Sequence, residues 1–328
     1  MPEAMIAVRY ARTGPAQAVL RAEEVARPDP GPGEVRVRLA VAGVNPTDVK
    51  SRSGTTPAGL EQPQIPGQDG AGTIDAVGAG VDEQRVGERV WVYFAALGRP
   101  WGTAAQWTVV PAEQAVALPD EASLELGASL GIPAVTAHHC LLADGPIDGR
   151  WVLVAGGAGA VGHAAIELAR DAGARVVTTV SNAEKAALAE QAGAEAVINY
   201  RQPGAVQRIA GAAPGGIDRV VEVALAANLD LDVEVCAPYA VITTYAADEH
   251  TPQLNVRRLM GPNLVLRFVL VYGIPKTALR AAVAGVSEAV AAGVLTTLPL
   301  HRFALQDAAH AHEAVESGAV GKVLIDIP

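Results

Sequence analysis

A glycine-rich turn at residues 157–162 carries the clearest chemical signal in the sequence. Its three glycines, Gly157, Gly159 and Gly162, follow the apolar run Trp151–Ala155 and precede a segment with helical periodicity. In this spacing the first glycine permits a sharp turn off a strand, the second permits close approach of a pyrophosphate, and the third permits tight helix packing. Free N–H groups at the helix start would bind the phosphate oxygens. We therefore expect a dinucleotide to bind the six residues of the turn, Gly157, Ala158, Gly159, Ala160, Val161 and Gly162.

The residues after the next predicted strand, Arg175–Val180, indicate which dinucleotide binds. An NAD site usually has a carboxylate at this point, which binds the adenosine 2′-hydroxyl. Here Ser181, Asn182 and Lys185 follow the strand, and none of them is acidic. With Tyr200 they offer hydrogen bonds and a cation to a 2′-phosphate, which favours NADPH over NADH. Two simpler explanations stay open, because Ser181 would also serve as a helix N-cap and Lys185 as a solvated surface residue.

These candidates need a parallel sheet to position them, and the hydrophobic pattern predicts one. Alternating β-rich segments extend to about Asp120, and from there helices alternate with short apolar strands. The order βαβαβ predicts an α/β fold with a doubly wound parallel sheet beside a β-rich domain. The later predicted strands are Trp151–Ala155, Arg175–Val180, Ala196–Asn199, Arg219–Val223, Ala240–Thr244, Val265–Val271 and Lys322–Ile327, and the predicted helices include Ala160–Ala172 and Leu279–Ala292.

Composition argues against several classes of protein. The net charge of −10 opposes binding to nucleic acid or to an anionic membrane. No apolar run is long enough to span a bilayer, and the chain does not open on a secretory leader. Two cysteines, Cys140 and Cys236, cannot build a disulfide framework or a multi-thiolate metal site. We expect a cytoplasmic protein whose partner is a small molecule.

The segment Leu264–Val271 is apolar on both of its strand faces. Such a strand is either buried inside a sheet or lies at an edge that pairs with another subunit. The second possibility predicts a homodimer, although a tetramer is compatible with the same pattern.

Short motifs in a fixed order extend through the whole chain. They are Gly43-Val-Asn45-Pro-Thr-Asp48, Arg52-Ser-Gly54, Pro66-Gly-Gln68-Asp69-Gly-Ala-Gly72, Ala128-Ser-Leu-Gly131-Ile-Pro133-Ala-Val-Thr136-Ala137, the glycine turn, Val197-Ile-Asn199-Tyr200-Arg201 and Gly321-Lys322. Together they resemble the quinone oxidoreductase branch of the medium-chain dehydrogenase/reductase superfamily, and the zeta-crystallin-like enzymes in particular.

The resemblance implies a domain organisation and a cofactor. It implies a GroES-like catalytic domain formed by residues 1–122 and 273–328, with a Rossmann domain at residues 123–272. It also implies NADPH as cofactor and a homodimer as assembly. In that family Ser181, Lys185 and Tyr200 align with positions that hold the 2′-phosphate. We further expect Thr136, Asn182 and Lys322 to bind the cofactor, with Thr136 at the nicotinamide ribose or ring.

Zinc-dependent relatives in this superfamily bind a catalytic zinc ion with Cys, His and Cys. The corresponding positions here are Asn45, Gln68 and Ile132. Two amides and a hydrocarbon do not provide the thiolate, imidazole or carboxylate ligands that zinc requires. We therefore expect no metal site. Without this Lewis acid, reduction of a good hydride acceptor such as a quinone is easier than oxidation of a simple alcohol.

Four residues are candidates for catalysis in such a reductase. The side-chain amides of Asn45 and Gln68 could donate hydrogen bonds to the acceptor oxygen as it becomes negative. Lys50, which stands where related quinone reductases commonly have tyrosine, could act as cation or proton source, and Thr47 could relay a proton. Structural explanations are also open, because Asn45 precedes Pro46 in a turn and Gln68 lies in a glycine-rich loop.

Two other functions remain compatible with these residues. An enoyl or enone reductase would transfer hydride to a C=C bond with similar chemistry. A non-catalytic, crystallin-like protein would bind NADPH without turnover.

Overall fold

A computed structural model describes residues 3–56, 62–247 and 250–328. Its strands are β1 (Ala4–Arg9), β2 (Arg21–Ala26), β3 (Glu34–Val44), β4 (Asp69–Val77), β5 (Arg89–Val92), β6 (Trp107–Pro111), β7 (Ala115–Ala117), β8 (Trp151–Ala155), β9 (Arg175–Val180), β10 (Ala196–Asn199), β11 (Ile217–Glu222), β12 (Cys236–Thr244), β13 (Val265–Phe268), β14 (Leu300–Ala304) and β15 (Lys322–Asp326). Its α-helices are α1 (Ala16–Val19), α2 (Pro46–Ser53), α3 (Leu124–Gly127), α4 (Gly131–Leu142), α5 (Ala160–Asp171), α6 (Ala183–Gln191), α7 (Ala205–Ala212), α8 (Leu225–Val235), α9 (Val256–Met260), α10 (Lys276–Ala291) and α11 (Ala308–Glu316).

The chain divides into two compact units. Unit 1 comprises Met1–Ile132 and Pro299–Pro328, and unit 2 comprises Pro133–Leu298. Both boundaries lie later in the chain than the expected ones at residues 122 and 272. The position of α10 explains the second difference. Within unit 2, a Cβ on Gly285 of α10 would lie 2.2 Å from the His138 ring, so α10 packs tightly against α4 and belongs with unit 2.

Unit 2 contains a six-stranded parallel sheet in the order β10-β9-β8-β11-β12-β13. This is the strand order of the doubly wound dinucleotide-binding fold, so the predicted α/β class is confirmed. Strands β8, β9 and β10 have the bounds that the hydrophobic pattern predicts. Apolar side chains on both faces of the sheet are fully buried, for example Leu153 and Val177 on one face and Val152 and Val176 on the other. The carboxyl ends of these parallel strands share one edge, which gathers the glycine turn, Ser181 and Tyr200.

Unit 1 is built on a mostly antiparallel sheet in the order β14-β15-β3-β4-β5-β7, with β6 also paired to β3. The β-rich first part of the chain therefore forms the predicted GroES-like domain. Strand β15 lies between β14 and β3, so a segment near residue 324 completes a sheet that begins near residue 34. Neither β2 nor β14 is predicted from the pattern, because both strands are largely exposed and carry charged residues.

The apolar segment predicted near Leu264–Val271 forms β13 at one edge of the parallel sheet, paired with β12. Of the two possibilities that the sequence leaves open, the structure shows the edge strand. Phe268 and Leu270 each expose 69 % of their surface. The strand is shorter than predicted, because it ends at Phe268 and the chain forms a 3-10 turn at Val271–Gly273.

Candidate active site

The glycine turn of unit 2 joins β8 to α5, and each of its glycines is required for a different reason. The left-handed backbone that turns off the strand belongs to Gly156, at φ +72°, which corrects the expectation that Gly157 makes this turn. A Cβ on Gly157 would lie 2.1 Å from Thr178 Oγ1, and a Cβ on Gly162 would lie 2.4 Å from the Gly156 carbonyl oxygen. These two glycines are therefore required for packing of the turn.

Gly159 has a different role, because a Cβ there would approach the protein no closer than 3.4 Å. The residue is the N-cap of α5, and the first N–H to bond within the helix is that of His163, to the Gly159 carbonyl. The N–H groups of Ala160, Val161 and Gly162 precede this bond and are available to an anion. The turn therefore fits a pyrophosphate.

The residues predicted to bind a 2′-phosphate lie together after β9 and β10. The Tyr200 N–H donates to the Val180 carbonyl at 3.1 Å, which places Tyr200 beside the end of β9. Asn182, not Ser181, is the N-cap of α6, since its Oδ1 accepts from the Lys185 N–H at 2.9 Å. The helix-cap explanation for Ser181 is therefore wrong, and its buried hydroxyl needs another explanation. Lys185 lies in the first turn of α6 and is half-buried.

In unit 1, Asn45 lies at the centre of a buried polar network. Its Nδ2 donates to Asp69 Oδ2 at 2.7 Å, and its Oδ1 accepts from Lys322 Nζ at 2.7 Å. Its backbone N–H donates to Asp48 Oδ2 at 2.8 Å. All four residues are less than 5 % exposed. We call Asn45, Asp48, Asp69 and Lys322 the Asn45 network.

The two carboxylates of the Asn45 network join Asn45, Gln68 and Ile132, the three positions that the sequence resemblance matches to zinc ligands. Asp48 accepts from the backbone N–H groups of Asn45 and Gln68. Asp69 accepts from the Asn45 amide and from the Ile132 N–H at the start of α4, at 2.9 Å. Backbone and side-chain hydrogen bonds therefore fix positions 45, 68 and 132 relative to one another.

Burial determines the protonation of this network. It raises the pKa of Asp48 to about 7, with a further contribution from the charge of Asp69. It raises the pKa of Asp69 to about 6, although the Lys322 ammonium and hydrogen bonds from Ile132 and Asn45 oppose the shift. Burial also lowers the pKa of Lys322, which Asp69 and Asp48 partly offset. The ammonium of Lys322 is therefore the buried cation that interacts electrostatically with both carboxyl groups, Asp48 and Asp69.

The other predicted catalytic residues lie around this network in unit 1. Gln68 is 8 % exposed, and its Oε1 has no hydrogen-bond partner among the described residues. Such an unpaired buried acceptor is costly unless a bound molecule or water completes it. Thr47 and Lys50 are half-buried on α2. Thr136, a predicted cofactor contact, is buried on α4 in unit 2.

In residues 3–56, 62–247 and 250–328, no three His, Cys, Asp or Glu side chains are arranged as metal ligands. No helix in the same ranges is both long and apolar enough to cross a membrane.

With this geometry established, comparisons with known proteins identify the family. Residues 31–120 match the family described as "Alcohol dehydrogenase GroES-like domain", and residues 160–288 match "Zinc-binding dehydrogenase". A mycobacterial protein solved with NADPH is 30 % identical, with 98 % of this chain and 99 % of that one covered and a TM-score of 0.84. The chain belongs to the medium-chain dehydrogenase/reductase superfamily.

Within this superfamily the chain belongs to the quinone oxidoreductase branch and is an oxidoreductase. The curated quinone oxidoreductase of Pongo abelii is 29 % identical over 98 % of this chain and 97 % of its own length. The fold is shared more widely, because a solved NAD-dependent alcohol dehydrogenase has a TM-score of 0.90 at 26 % identity, over 99 % and 100 % of the two chains. The predicted family and fold are therefore confirmed.

Two buried acids of this site, Asp48 and Asp69, were not among the residues that the sequence singles out for function. A signal for Asp48 exists, because Asn45-x-x-Asp48 with Pro46 at the first helical position has the pattern of a helix start. Asp69 carries no comparable signal, since it is one polar residue in a glycine-rich run. Lys322, which the sequence predicts to bind cofactor, donates to Asn45.

Proposed function

We propose that this oxidoreductase transfers hydride from NADPH to a quinone or a similarly conjugated carbonyl, without a catalytic zinc ion. The observation that carries the proposal is the contact between Lys322 Nζ and Asn45 Oδ1, at 2.7 Å. Asn45 holds a zinc-ligand position, and its only metal-binding atom already accepts from a buried ammonium. A dication beside that ammonium would be repelled, and Gln68 and Ile132 offer no thiolate or imidazole. The carboxylates of Asp48 and Asp69 already accept hydrogen bonds from protein N–H groups.

NADPH fits the residues of unit 2, and the mycobacterial relative described above was solved with it. When bound, NADPH supplies a hydride from its nicotinamide ring. The N–H groups of Ala160, Val161 and Gly162 would bind the pyrophosphate. Ser181, Asn182, Lys185 and Tyr200 would hold the 2′-phosphate, where an acidic residue would repel it.

The polar residues of unit 1 would stabilise the reduced acceptor. A quinone or enone oxygen becomes negative as hydride arrives, and a fixed donor near it lowers the barrier by roughly 2–4 kcal/mol. The amides of Gln68 and Asn45 are the proposed donors. Thr47 and Lys50 of α2 are the proposed route for the proton that completes the hydroquinone or the saturated ketone.

We propose that the protein is a homodimer joined through β13. The strand lies at a sheet edge, so its outer backbone groups can pair with a second copy, and the exposed Phe268 and Leu270 would be covered. Sedimentation should show a dimer at micromolar concentration. Phe268→Glu should convert it to a monomer, whereas Val86→Glu, at an exposed apolar residue of unit 1, should not. A wild-type protein that sediments only as monomer contradicts this assembly.

The activity is tested by NADPH oxidation with 1,4-benzoquinone, 9,10-phenanthrenequinone and an α,β-unsaturated ketone, each with and without EDTA. We expect quinone-dependent loss of NADPH absorbance that EDTA leaves unchanged, and slower turnover with NADH. Zinc analysis of the purified protein should give substoichiometric metal. Turnover that EDTA abolishes and zinc restores would overturn the zinc-free reaction.

The choice of acceptor separates the remaining alternatives. Activity on the unsaturated ketone alone would indicate an enone reductase. Tight NADPH binding without turnover of any of the three compounds would indicate the non-catalytic function.

A further inference from the structure

Lys322 is a buried cation whose hydrogen-bonded partner is a neutral amide. Its side chain is 3 % exposed, and its ammonium donates to Asn45 Oδ1 at 2.7 Å. Burial of a charged ammonium costs folding free energy, so the rest of the fold must compensate for keeping the side chain in this position.

Glycines near Lys322 allow the close contacts that surround its backbone and side chain. Gly321 adopts φ +128°, and a Cβ there would lie 2.2 Å from the Pro299 carbonyl oxygen. That carbonyl accepts the Lys322 N–H at 2.8 Å. On β3, a Cβ on Gly43 would lie 2.1 Å from the Ala128 carbonyl oxygen and 3.2 Å from the Lys322 Cε and Nζ atoms. Gly321 therefore lets the backbone before Lys322 approach Pro299, and Gly43 leaves room for the end of the lysine side chain.

The Asn45 amide lies between a cation and an anion. Its oxygen faces the Lys322 ammonium, and its nitrogen donates to the Asp69 carboxylate at 2.7 Å. The reversed amide would set N–H groups against the ammonium and an oxygen against the carboxylate. Electrostatics therefore fixes which end of the amide is the donor. One of the two N–H bonds on Nδ2 donates to Asp69, and among the residues that the structure describes the other has no acceptor.

We propose that Lys322 is a positioning residue for hydride transfer, which acts through Asn45 rather than by holding the cofactor. The ammonium draws electron density toward the amide oxygen, so the remaining Nδ2–H becomes a stronger donor. This N–H donates to the acceptor oxygen as negative charge develops there. Asn45 and Lys322 keep all their hydrogens, and the acceptor gains one hydride and then one proton from elsewhere. This inference rests on the proposed reduction of a quinone or conjugated carbonyl.

A double-mutant cycle tests the coupling between the two residues. Lys322→Met, Asn45→Ala and the double variant are compared for kcat at saturating NADPH and for the Kd of NADPH. We expect each single variant to lose about tenfold in kcat, and the double variant to lose no more than the worse single one. The Kd of NADPH should stay within twofold of wild type. Lys276→Met, at an exposed lysine of unit 2, is the matched control and should leave both values unchanged.

Two results would overturn the proposal. A tenfold rise in the Kd of NADPH for Lys322→Met, with kcat retained at saturation, would make Lys322 a cofactor ligand. Losses in kcat that multiply in the double variant would show that Lys322 does not act through Asn45.

A second variant and a second readout keep the proposal testable if Lys322→Met does not fold or if the wild-type protein shows no turnover. Lys322→Gln keeps a hydrogen-bond donor but removes the charge, and it replaces Lys322→Met if that variant does not fold. The Asn45 side-chain amide resonances, assigned by their loss in Asn45→Ala, report polarisation without any turnover. They should move upfield when the charge is removed, and unmoved resonances would contradict the proposal even if wild type reduces none of the compounds tested. Wild-type inactivity with shifted resonances would instead contradict only the proposed function.

Discussion

The carboxylate of Asp69 occupies the space that a side chain on Gly131 would need. A Cβ on Gly131 would lie 2.2 Å from Asp69 Oδ1 and 3.0 Å from the Tyr93 Cβ. The absence of a side chain lets the carboxylate reach the Ile132 N–H, at 2.9 Å from Oδ1. Gly131 is thus part of the arrangement that fixes Asn45.

Gly131→Ala should therefore damage both stability and catalysis. Overpacking at this buried site is expected to cost about 1–3 kcal/mol of unfolding free energy. Displacement of Asp69 should also lower kcat, because Asn45 loses its acceptor. Urea unfolding and steady-state kinetics measure the two effects. Gly211→Ala in α7 is the control, since no atom outside its own helix lies within 4 Å of the new Cβ, and it should keep or raise stability. Equal stability of both variants would contradict the steric argument.

Gly159→Ala should impair cofactor binding without unfolding the protein. The new methyl group would approach other protein atoms no closer than 3.4 Å. It would, however, project into the space where the pyrophosphate must approach the protein backbone. We expect the Kd of NADPH to rise about tenfold, with a Tm close to wild type. Fluorescence titration and thermal unfolding measure these quantities. Gly215→Ala, with open space around its Cβ, should change neither. Unchanged NADPH affinity in Gly159→Ala would contradict the proposal that the glycine turn binds the pyrophosphate.

Lys185→Ala should weaken NADPH more than NADH. The lysine lies in the first turn of α6, where its ammonium can pair with a 2′-phosphate that NADH lacks. We expect the Kd of NADPH to rise about tenfold and that of NADH to change less than twofold. Lys276→Ala provides the control. Equal changes in the dissociation constants of NADPH and NADH would show that Lys185 does not bind the 2′-phosphate.

Gln68→Ala should lower kcat about tenfold and leave NADPH binding intact, because one donor to the developing oxyanion is lost. Removal of the unpaired buried Oε1 should not destabilise the fold. The exposed Gln84 serves as control through Gln84→Ala. Full turnover in Gln68→Ala would leave Gln68 as a structural loop amide.

A buried pair of acids in unit 2 predicts a pH-dependent stability. Glu222 at the end of β11 and Asp232 on α8 are both fully buried. Burial raises the pKa of Glu222, and burial together with the charge of Glu222 raises the pKa of Asp232. Above about pH 4 the folded chain therefore keeps protons that the unfolded chain has released. The free energy of unfolding should fall as pH rises from that point through the raised values.

Asp232→Asn should flatten this dependence and stabilise the protein at pH 8 relative to wild type, because the amide cannot ionise in the buried site. Urea unfolding at several pH values between 5 and 9 measures the effect. Asp230→Asn on the same helix is the control, because the Asp230 side chain is 90 % exposed. A variant that keeps the full wild-type pH slope would contradict the assignment to this pair.

The sequence predicts unit 2 more accurately than unit 1, for a physical reason. Strands such as β8 and β9 are buried on both faces, so their apolar runs are visible in the sequence. Strand β2 is mostly exposed and exists because β1 pairs with it, and no local pattern encodes that pairing. Likewise the glycine turn is local, and its spacing alone identifies it. The contact of Lys322 with Asn45 joins residues 277 positions apart, which no motif reports.

The sequence leaves the N-cap of α6 ambiguous. Ser181 and Asn182 are both good N-cap residues, and their relative position on the chain does not decide between them. The hydrogen bond from the Lys185 N–H to Asn182 Oδ1 decides it, and Ser181 is buried next to the end of β9.

Strand β15 also has a consequence for how the protein is made. It is inserted between β14 and β3, so the sheet of unit 1 stays open until residues 322–326 have left the ribosome. By then the whole of unit 2 has been synthesised. Until that moment Asp48 and Asp69 lack their cation, and the apolar edge of β3 lacks its partner. Nascent chains stalled before residue 322 should therefore be substrates for chaperones and proteases, even though unit 2 is already complete in sequence.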